Sequence, residues 1–259
     1  MGMIEFEKAT FRYEKEENNV FENLTISLPA GIISLLGQNG SGKSTLLLLA
    51  SASVVPNKGT VTIKGIDTRE LRDEYQRQRY VSFIFQNMEF ETGETIGALL
   101  PYVYENGFHA NKEESFIKEL IRVFQLEGVL KKKTQEVSKG ELQRTILAFS
   151  LLYGSEILIM DEPIFAMEYY QKERALDFIT SYVREKNLSL YFSLHELDLS
   201  EKYSDYFLLF SKERTMKLGR TKDLFKREII EEAYQIPFHM LKIKEALYRE
   251  MLTRVRRGN

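Results

Sequence analysis

Residues 37–45 read Gly37-Gln38-Asn39-Gly40-Ser41-Gly42-Lys43-Ser44-Thr45. This run fits the pattern G-x-x-x-x-G-K-[ST], with an apolar, strand-like stretch at 32–36 before it and an apolar helix at 45–50 after it. Glycines in such a loop let successive backbone N–H groups turn inward around a phosphate, at the positive end of the following helix. The alternative, a Gly-rich turn that binds nothing, is disfavoured by the complete match. The run therefore predicts that all nine residues form a nucleoside triphosphate site, in which Lys43 reaches the β- and γ-phosphates and the Ser44 hydroxyl binds Mg²⁺.

Two carboxylates end a second apolar stretch, at 157–160. Asp161 would hold Mg²⁺ through its water shell, because a small hard cation keeps several waters and takes few protein carboxylates. Glu162 would orient the attacking water and partly deprotonate it. The alternative for this pair is a structural one, since acidic side chains also suit the N-terminus of a following helix.

The composition excludes several other kinds of chemistry. The chain has 259 residues and no cysteine, which excludes disulfides, thiolate zinc sites and a thiol nucleophile. Its 36 basic residues nearly balance its 38 acidic residues, so we expect no nucleic-acid partner. The most apolar stretch, 46–55, is far shorter than the ~20 residues that a membrane-spanning helix needs. The first residues lack the features of a secretory signal, and we expect a cytoplasmic protein.

The hydrophobic pattern predicts an α/β fold with three parts. Alternating apolar and polar residues predict a small antiparallel sheet from strands at 4–13, 24–28 and 59–65. Continuous apolar runs separated by helices predict a parallel sheet, with strands at 32–36, 81–85, 157–160, 190–194 and 206–210. Helical periodicity predicts an α-helical subdomain inserted at about 87–152. After Gly219 the chain reads as helical to its end.

The stretch just before the acidic strand reads Val137-Ser138-Lys139-Gly140-Glu141-Leu142-Gln143-Arg144. It resembles the signature L-S-G-G-Q of the ABC ATPase family and the helix that follows it. Other positions agree with the family in order and spacing: Tyr13, Gln86, Pro163, His195 and Gly219. The resemblance covers residues 4–220. It implies a P-loop NTPase (RecA-like) core with an antiparallel β subdomain and an inserted helical subdomain, forming a cassette at 1–220 and leaving a helical extension at 221–259.

The resemblance also implies a two-subunit site for ATP and Mg²⁺. In this family two cassettes pack head to tail, so Ser138 and Gly140 would contact the γ-phosphate bound by the partner cassette. His195 would contact the γ-phosphate and hold Glu162 or the water in place. Gln86 would sense the metal and the phosphate. We therefore expect catalysis by Lys43, Gln86, Glu162 and His195, and metal binding by Ser44, Gln86 and Asp161.

Tyr13 lies where the family has an aromatic ring that stacks on adenine. The alternative is a surface aromatic on a small sheet, with Phe11 as the other nearby candidate for adenine.

Some positions depart from the family pattern. Lys139 stands at the first signature glycine, and Glu141 replaces the usual glutamine. After Pro163, the bulky Phe165 replaces a small residue, and the acidic residue survives as Glu168. Because Lys43, Asp161, Glu162 and His195 are all present, active ATP hydrolysis is expected.

The resemblance implies the ATPase subunit of an ABC transporter, on the inner face of the cell membrane. Its partners would be a second copy or a paralogous cassette and a separate integral-membrane permease. A groove lined by Met88, Phe90 and Ile96 would receive a permease helix, although a helical core is an equal reading of these side chains. Three stretches, at 141–144, 193–200 and 229–236, are similar to importer cassettes for iron–siderophore, haem or cobalamin. The alternative functions are a non-transport cassette on a soluble assembly, such as an iron–sulfur assembly complex, and, more weakly, a DNA-repair or ribosome-associated cassette.

Overall fold

A computed structural model describes residues 2–211, 215–243 and 245–246. Its central sheet has six strands in the order β10-β9-β3-β8-β7-β6. In chain order these strands are β3 (Ile32–Gly37), β6 (Val81–Ile84), β7 (Ile157–Asp161), β8 (Ser189–Ser193), β9 (Tyr206–Phe210) and β10 (Met216–Arg220). All neighbours pair in parallel except the edge strand β10, which is antiparallel to β9. The five predicted parallel strands are therefore present.

A second, antiparallel sheet packs beside the first. Its order is β2-β1-β4-β5, from β1 (Ile4–Phe11), β2 (Phe21–Leu28), β4 (Lys58–Ile63) and β5 (Ile66–Asp67). Side chains that point inward from β1 and β4 share one core with β3, β8 and the first helix, α1 (Lys43–Ala50). This shared core fixes the antiparallel sheet against the strand that leads into residues 37–45.

The helices cover the central sheet and form a separate helical part. They are α2 (Glu74–Tyr80), α3 (Ile96–Asn106), α4 (Glu114–Val123), α5 (Lys139–Leu152), α6 (Tyr169–Glu185), α7 (Leu197–Tyr203), α8 (Thr221–Leu224) and α9 (Arg227–Tyr234). Residues 238–243 are also helical. Helices α3, α4 and α5 bury their apolar faces against one another and against α6, in a core that includes Ile96, Leu100, Leu120 and Leu147. In the part of the chain that the structure describes, no helix has the length and apolar character needed to cross a bilayer.

The structure decides one open alternative and corrects other details of the sequence prediction. Of the two readings of Ile96, a groove-lining residue or part of a helical core, the structure supports the core, because the side chain is fully buried in the helical part. The chain was expected to be helical after Gly219, whereas Gly219 lies within β10, opposite Phe207, and the strand continues to Arg220. The antiparallel sheet also has a fourth strand, β5, too short to leave a periodic signal. The α/β fold class is confirmed.

The C-terminal part is helical as far as it is described. Helices α8 and α9 and residues 238–243 pack on Leu36, Phe207 and Leu209 of the central sheet. The division of the chain at residue 220 stays a prediction, and residues 247–259 lie outside the described residues.

Tyr191 joins the two sheets. It is fully buried in β8, and its hydroxyl donates a hydrogen bond to the Pro29 carbonyl oxygen, 2.8 Å away, in the turn between β2 and β3. Burial raises the pKa of the Tyr191 phenol, so it is a protonated donor at neutral pH.

We predict that Tyr191→Phe lowers the free energy of unfolding by about 1 kcal/mol, because one buried hydrogen bond is lost. Tyr75→Phe is the matched control, since Tyr75 is 64% exposed, and should change stability by less than about 0.5 kcal/mol. Urea unfolding followed by circular dichroism measures both. Equal effects of the two substitutions would contradict the role given to Tyr191.

Candidate active site

The loop between β3 and α1 is shaped by glycines. Gly40 and Gly42 have φ values of 76° and 104°, in the left-handed region that favours glycine. A Cβ atom on Gly42 would lie 2.9 Å from the Phe21 ring, and one on Gly37 would lie 2.6 Å from the Phe210 carbonyl oxygen. A Cβ atom on Gly40 would meet nothing within 4 Å. The loop is therefore closely packed at its base and open at Gly40.

Lys43 occupies the inside of this loop. Its Nζ donates to the Gly37 carbonyl oxygen at 2.8 Å and to the Gln38 carbonyl oxygen at 2.9 Å. Burial lowers the pKa of Lys43, and the charges of Asp161 and Glu162 oppose this effect without cancelling it. Lys43 therefore lies near Asp161 and Glu162 in the structure.

Asp161 and Glu162 lie at the carboxyl end of β7. Ser193, at the end of β8, forms hydrogen bonds with both residues. The Ser193 hydroxyl donates to Asp161 Oδ1 at 2.5 Å, and the Glu162 backbone N–H donates to Ser193 Oγ at 3.0 Å. Glu162 has a φ of 50°, an uncommon conformation for a residue with a side chain. The sequence analysis did not assign Ser193 to the site. The one feature that could have indicated it is that Ser193 is a polar residue within the apolar run 190–194.

Two of the predicted catalytic residues, His195 and Glu162, contact each other directly. His195 Nε2 lies 2.6 Å from Glu162 Oε1. Burial would raise the pKa of Glu162, but the hydrogen bond and charge of His195, together with Gln86 and Lys43, outweigh burial and hold this pKa below its usual value. Glu162 is therefore a carboxylate at neutral pH.

Tyr13 lies beside the start of α1. Its hydroxyl is 3.0 Å from Thr45 Oγ1, and its ring is 37% exposed and meets Phe11 edge-on. Phe11 itself is only 6% exposed and belongs to the core. Of the two aromatic residues proposed for adenine, only Tyr13 offers a ring face to solvent.

The predicted signature lies at the N-terminus of α5. Ser138 is the N-cap: its hydroxyl accepts from the Glu141 N–H at 3.3 Å, and the Glu141 carboxylate accepts from the Ser138 N–H at 2.7 Å. Glu141, which replaces the usual glutamine of the family pattern, thus completes a capping box. The departure Lys139 forms an exposed ion pair of 3.5 Å with Glu89, which contributes little to stability.

Gly140 and Gln143 join α5 to the loop that follows Glu162. A Cβ atom on Gly140 would lie 2.8 Å from the Ala166 carbonyl oxygen. The Gln143 side chain donates to the Glu162 carbonyl oxygen at 3.1 Å and accepts from the Ala166 N–H at 2.7 Å. Gln143 was part of the quoted signature helix, but nothing in the sequence indicated this bridging role.

The two residues of the loop after Pro163 that differ from the family pattern lie in different environments. Phe165 is 41% exposed. Glu168 begins α6 as its N-cap and forms a capping box with Gln171.

Comparisons with known proteins identify the family of this chain. The family model described as ABC transporter matches residues 21–165. A putative ABC transporter ATP-binding protein of Pyrococcus furiosus is 31% identical over 234 residues, which cover 88% of this chain and 87% of the relative. The energy-coupling factor transporter ATP-binding protein EcfA1 of Mycoplasmopsis pulmonis is 30% identical over 239 residues, which cover 89% of this chain and 88% of the relative.

Among solved structures, a dimeric post-hydrolysis state of the ATP-binding cassette MJ0796 bound to ADP and Pi matches with a TM-score of 0.73 at 20% identity. The match covers 85% of this chain and 99% of that one. The fold is accordingly that of a P-loop NTPase of the cassette type, as the sequence predicted. With the matching family model and relatives, the chain belongs to the ABC transporter family.

We predict that Gln143→Ala lowers the free energy of unfolding by about 1–3 kcal/mol, since two hydrogen bonds to the loop after Glu162 are lost. Gln143→Glu keeps the acceptor for the Ala166 N–H but sets a carboxylate oxygen against the Glu162 carbonyl oxygen, so it should also lower stability. Gln76→Ala, at an exposed position of α2, is the control and should change stability by less than about 0.5 kcal/mol. Thermal and urea unfolding measure all three, and a Gln143→Ala protein as stable as the control would contradict the bridge.

Proposed function

We propose that this chain is the ATP-binding and ATP-hydrolysing subunit of an ABC transporter. The observation that carries the proposal is the 2.6 Å contact between His195 Nε2 and Glu162 Oε1, close enough to Lys43 for their charges to influence one another. If Asp161 and Glu162 served only to stabilise the N-terminus of the following helix, neither a histidine partner nor a nearby buried lysine would be required.

The loop at residues 37–45 fits a triphosphate. The Ser41 hydroxyl is buried and finds no hydrogen-bond partner among the described residues. A phosphate oxygen would supply that partner, because buried polar groups are nearly always hydrogen-bonded. Lys43 would exchange its two carbonyl partners for phosphate oxygens, and the remaining residues of the loop, including Asn39, would surround the phosphates. Tyr13 would stack on adenine.

The nearby donors fit Mg²⁺. The Ser44 hydroxyl is exposed in the first turn of α1, and the Asp161 carboxylate and Gln86 amide add two more oxygen groups of the hard type that Mg²⁺ prefers. When bound, Mg²⁺ would neutralise charge on the phosphates. Ser193 keeps the Asp161 carboxylate in one orientation through its 2.5 Å hydrogen bond.

The protein contributes mainly positioning and electrostatics to phosphoryl transfer. Glu162 would accept a hydrogen bond from the attacking water and take up its proton. His195 would hold the Glu162 carboxylate and contact the γ-phosphate, and Gln86 would report whether metal and phosphate are present. The low pKa of Glu162 keeps it able to accept that hydrogen bond at neutral pH.

A second cassette would complete the site. The capped N-terminus of α5 carries Ser138 and Gly140, and helix N-termini with outward-facing N–H groups favour anions. We propose that these two residues approach the γ-phosphate held by the partner, either a second copy or a paralogous cassette. The dimeric state of the cassette MJ0796 supports this arrangement.

The permease would dock beside Gln86. A cavity next to this residue has a mixed lining, with the apolar residues Ile84, Met88, Leu142 and Ile146 beside polar and charged residues such as Glu89. A cassette docked there would be cytoplasmic and peripheral on the inner face of the cell membrane. The names of the relatives favour a transporter over the alternative, a cassette acting on a soluble assembly.

We predict that Glu162→Gln slows ATP hydrolysis by about 100-fold or more, because the proton acceptor is lost while the shape is kept. ATP should still bind. Glu22→Gln, at an exposed position of β2, is the control and should keep the parent rate. Phosphate release and equilibrium ATP binding are the measurements, and equal turnover of Glu162→Gln and the parent would remove Glu162 from the role of base.

The Glu162→Gln protein should also dimerise when ATP and Mg²⁺ are present, since hydrolysis no longer reopens the site. Light scattering should report twice the monomer mass with ATP and the monomer mass without it. The same mass under both conditions would count against the two-subunit site.

We predict that Tyr13→Ala weakens ATP binding by about 5- to 150-fold, the range expected for loss of one aromatic–base stack. Tyr13→Phe keeps the ring and should bind nearly as well as the parent, although the contact with Thr45 is lost. Tyr75→Ala controls for removal of an exposed tyrosine. If Tyr13→Ala binds ATP like the parent, adenine lies elsewhere.

A further inference from the structure

The C-terminal part of the described chain reaches back to the phosphate-binding loop. Tyr234, the last residue of α9, accepts a hydrogen bond at its hydroxyl from the Gly37 N–H, 3.2 Å away. The Tyr234 carbonyl oxygen accepts another from the Gln38 side-chain amide. We name residues 234–243 together with Glu245 the C-terminal strap. Tyr234 lies within the stretch 229–236 noted in the sequence, but nothing in that stretch indicated a contact with Gly37 and Gln38.

The two residues held by Tyr234 are the ones that hold Lys43. The Gly37 and Gln38 carbonyl oxygens accept the two hydrogen bonds of the Lys43 ammonium group, at 2.8 and 2.9 Å. Tyr234 contacts the same two residues, at the N–H of Gly37 and at the side chain of Gln38. Tyr234 and Lys43 thus share Gly37 and Gln38 as hydrogen-bond partners.

The other end of the strap contacts the segment after His195. Glu245 Oε1 accepts a hydrogen bond from the Leu197 N–H at 2.6 Å, at the start of α7. Lys242 forms an ion pair with Asp198 in the first turn of the same helix. Leu197 is two residues from His195, so the strap reaches both the loop with Lys43 and the segment with His195.

Apolar packing supports the strap along its length. Leu241 of the strap shares one core with Leu36, the residue before the phosphate-binding loop, and with Leu197, and the strap residues Ile236 and Phe238 pack against this core. Burial raises the pKa of the Tyr234 phenol, which keeps its hydroxyl protonated. The Gly37 N–H therefore meets a neutral hydroxyl oxygen throughout the physiological pH range.

We propose that Tyr234 is a positioning residue for phosphate binding and hydrolysis, and that the C-terminal strap holds the Lys43 loop and the His195 segment in one arrangement. The effect on hydrolysis rests on the proposed function; the effect on the order of the loop does not. Ground-state phosphate binding is spread over many N–H groups of the loop, whereas stabilisation of the transition state depends on where the Lys43 charge lies. Loss of the Tyr234 hydroxyl should therefore lower kcat more than it raises KM.

Tyr234→Phe removes only the hydroxyl and keeps the ring in its core. We expect the amides of residues 37–43 to exchange with deuterium about 2- to 12-fold faster, the effect of one hydrogen bond. The kcat for ATP should fall by a similar factor, with KM changed less than about twofold. Gln38→Ala, which removes the second contact while keeping Tyr234, should also speed exchange of these amides.

Tyr203→Phe is the matched control, because the Tyr203 hydroxyl also donates a hydrogen bond, to Asp177 Oδ1 at 2.8 Å, away from the loop. It should leave exchange at residues 37–43 and kcat unchanged. If Tyr234→Phe behaves like the parent in exchange and kcat, or if Tyr203→Phe reproduces its effects, the proposal is overturned. If the parent chain hydrolyses no ATP but Tyr234→Phe still speeds exchange of the loop, the strap stands and the proposed function fails.

Discussion

The parallel register of β3, β8 and β7 is the constraint on which the site depends. Leu35 pairs with Ser193, and Ser193 pairs with Asp161, so the three strands end at one edge of the sheet. Lys43, Glu162 and His195 follow these ends within a few residues and meet there. A slip of one residue in β8 would turn Ser193 to the opposite face of the sheet and remove its contacts with both acidic residues.

The polar groups at this edge of the sheet can be buried because they form hydrogen bonds with one another. The strands are buried on both faces, and an unpaired carboxylate there would be costly. Asp161 is paired with the Ser193 hydroxyl, and Glu162 with His195. The left-handed backbone of Glu162, a conformation that costs about 1–3 kcal/mol for such a residue, is held on both sides, by Ser193 at its N–H and by Gln143 at its carbonyl oxygen. Neighbouring side chains therefore hold the backbone of Glu162 as well as its carboxylate.

Local motifs made much of this predictable from the sequence. The loop at 37–45, the acidic pair and His195 each follow an apolar strand, and parallel strands bring their carboxyl ends together. Contacts between distant segments could not be predicted in the same way. Ser193, Gln143 and Tyr234 act through pairings that no local spacing reveals. Periodicity also could not distinguish a buried Ile96 from a groove-lining one, and the start of β2 at Phe21 depends on its pairing with Phe11.

The central claim is that Lys43 leaves its two carbonyl partners for a triphosphate held by the loop at 37–45, with Glu162 and His195 at its γ end. A crystal structure of the Glu162→Gln protein with ATP and Mg²⁺ tests this most directly. We expect phosphate oxygens within hydrogen-bond distance of Lys43 Nζ and Ser41 Oγ, and His195 facing the γ-phosphate. A nucleotide bound elsewhere, with Lys43 still donating to the Gly37 and Gln38 carbonyl oxygens, would contradict it.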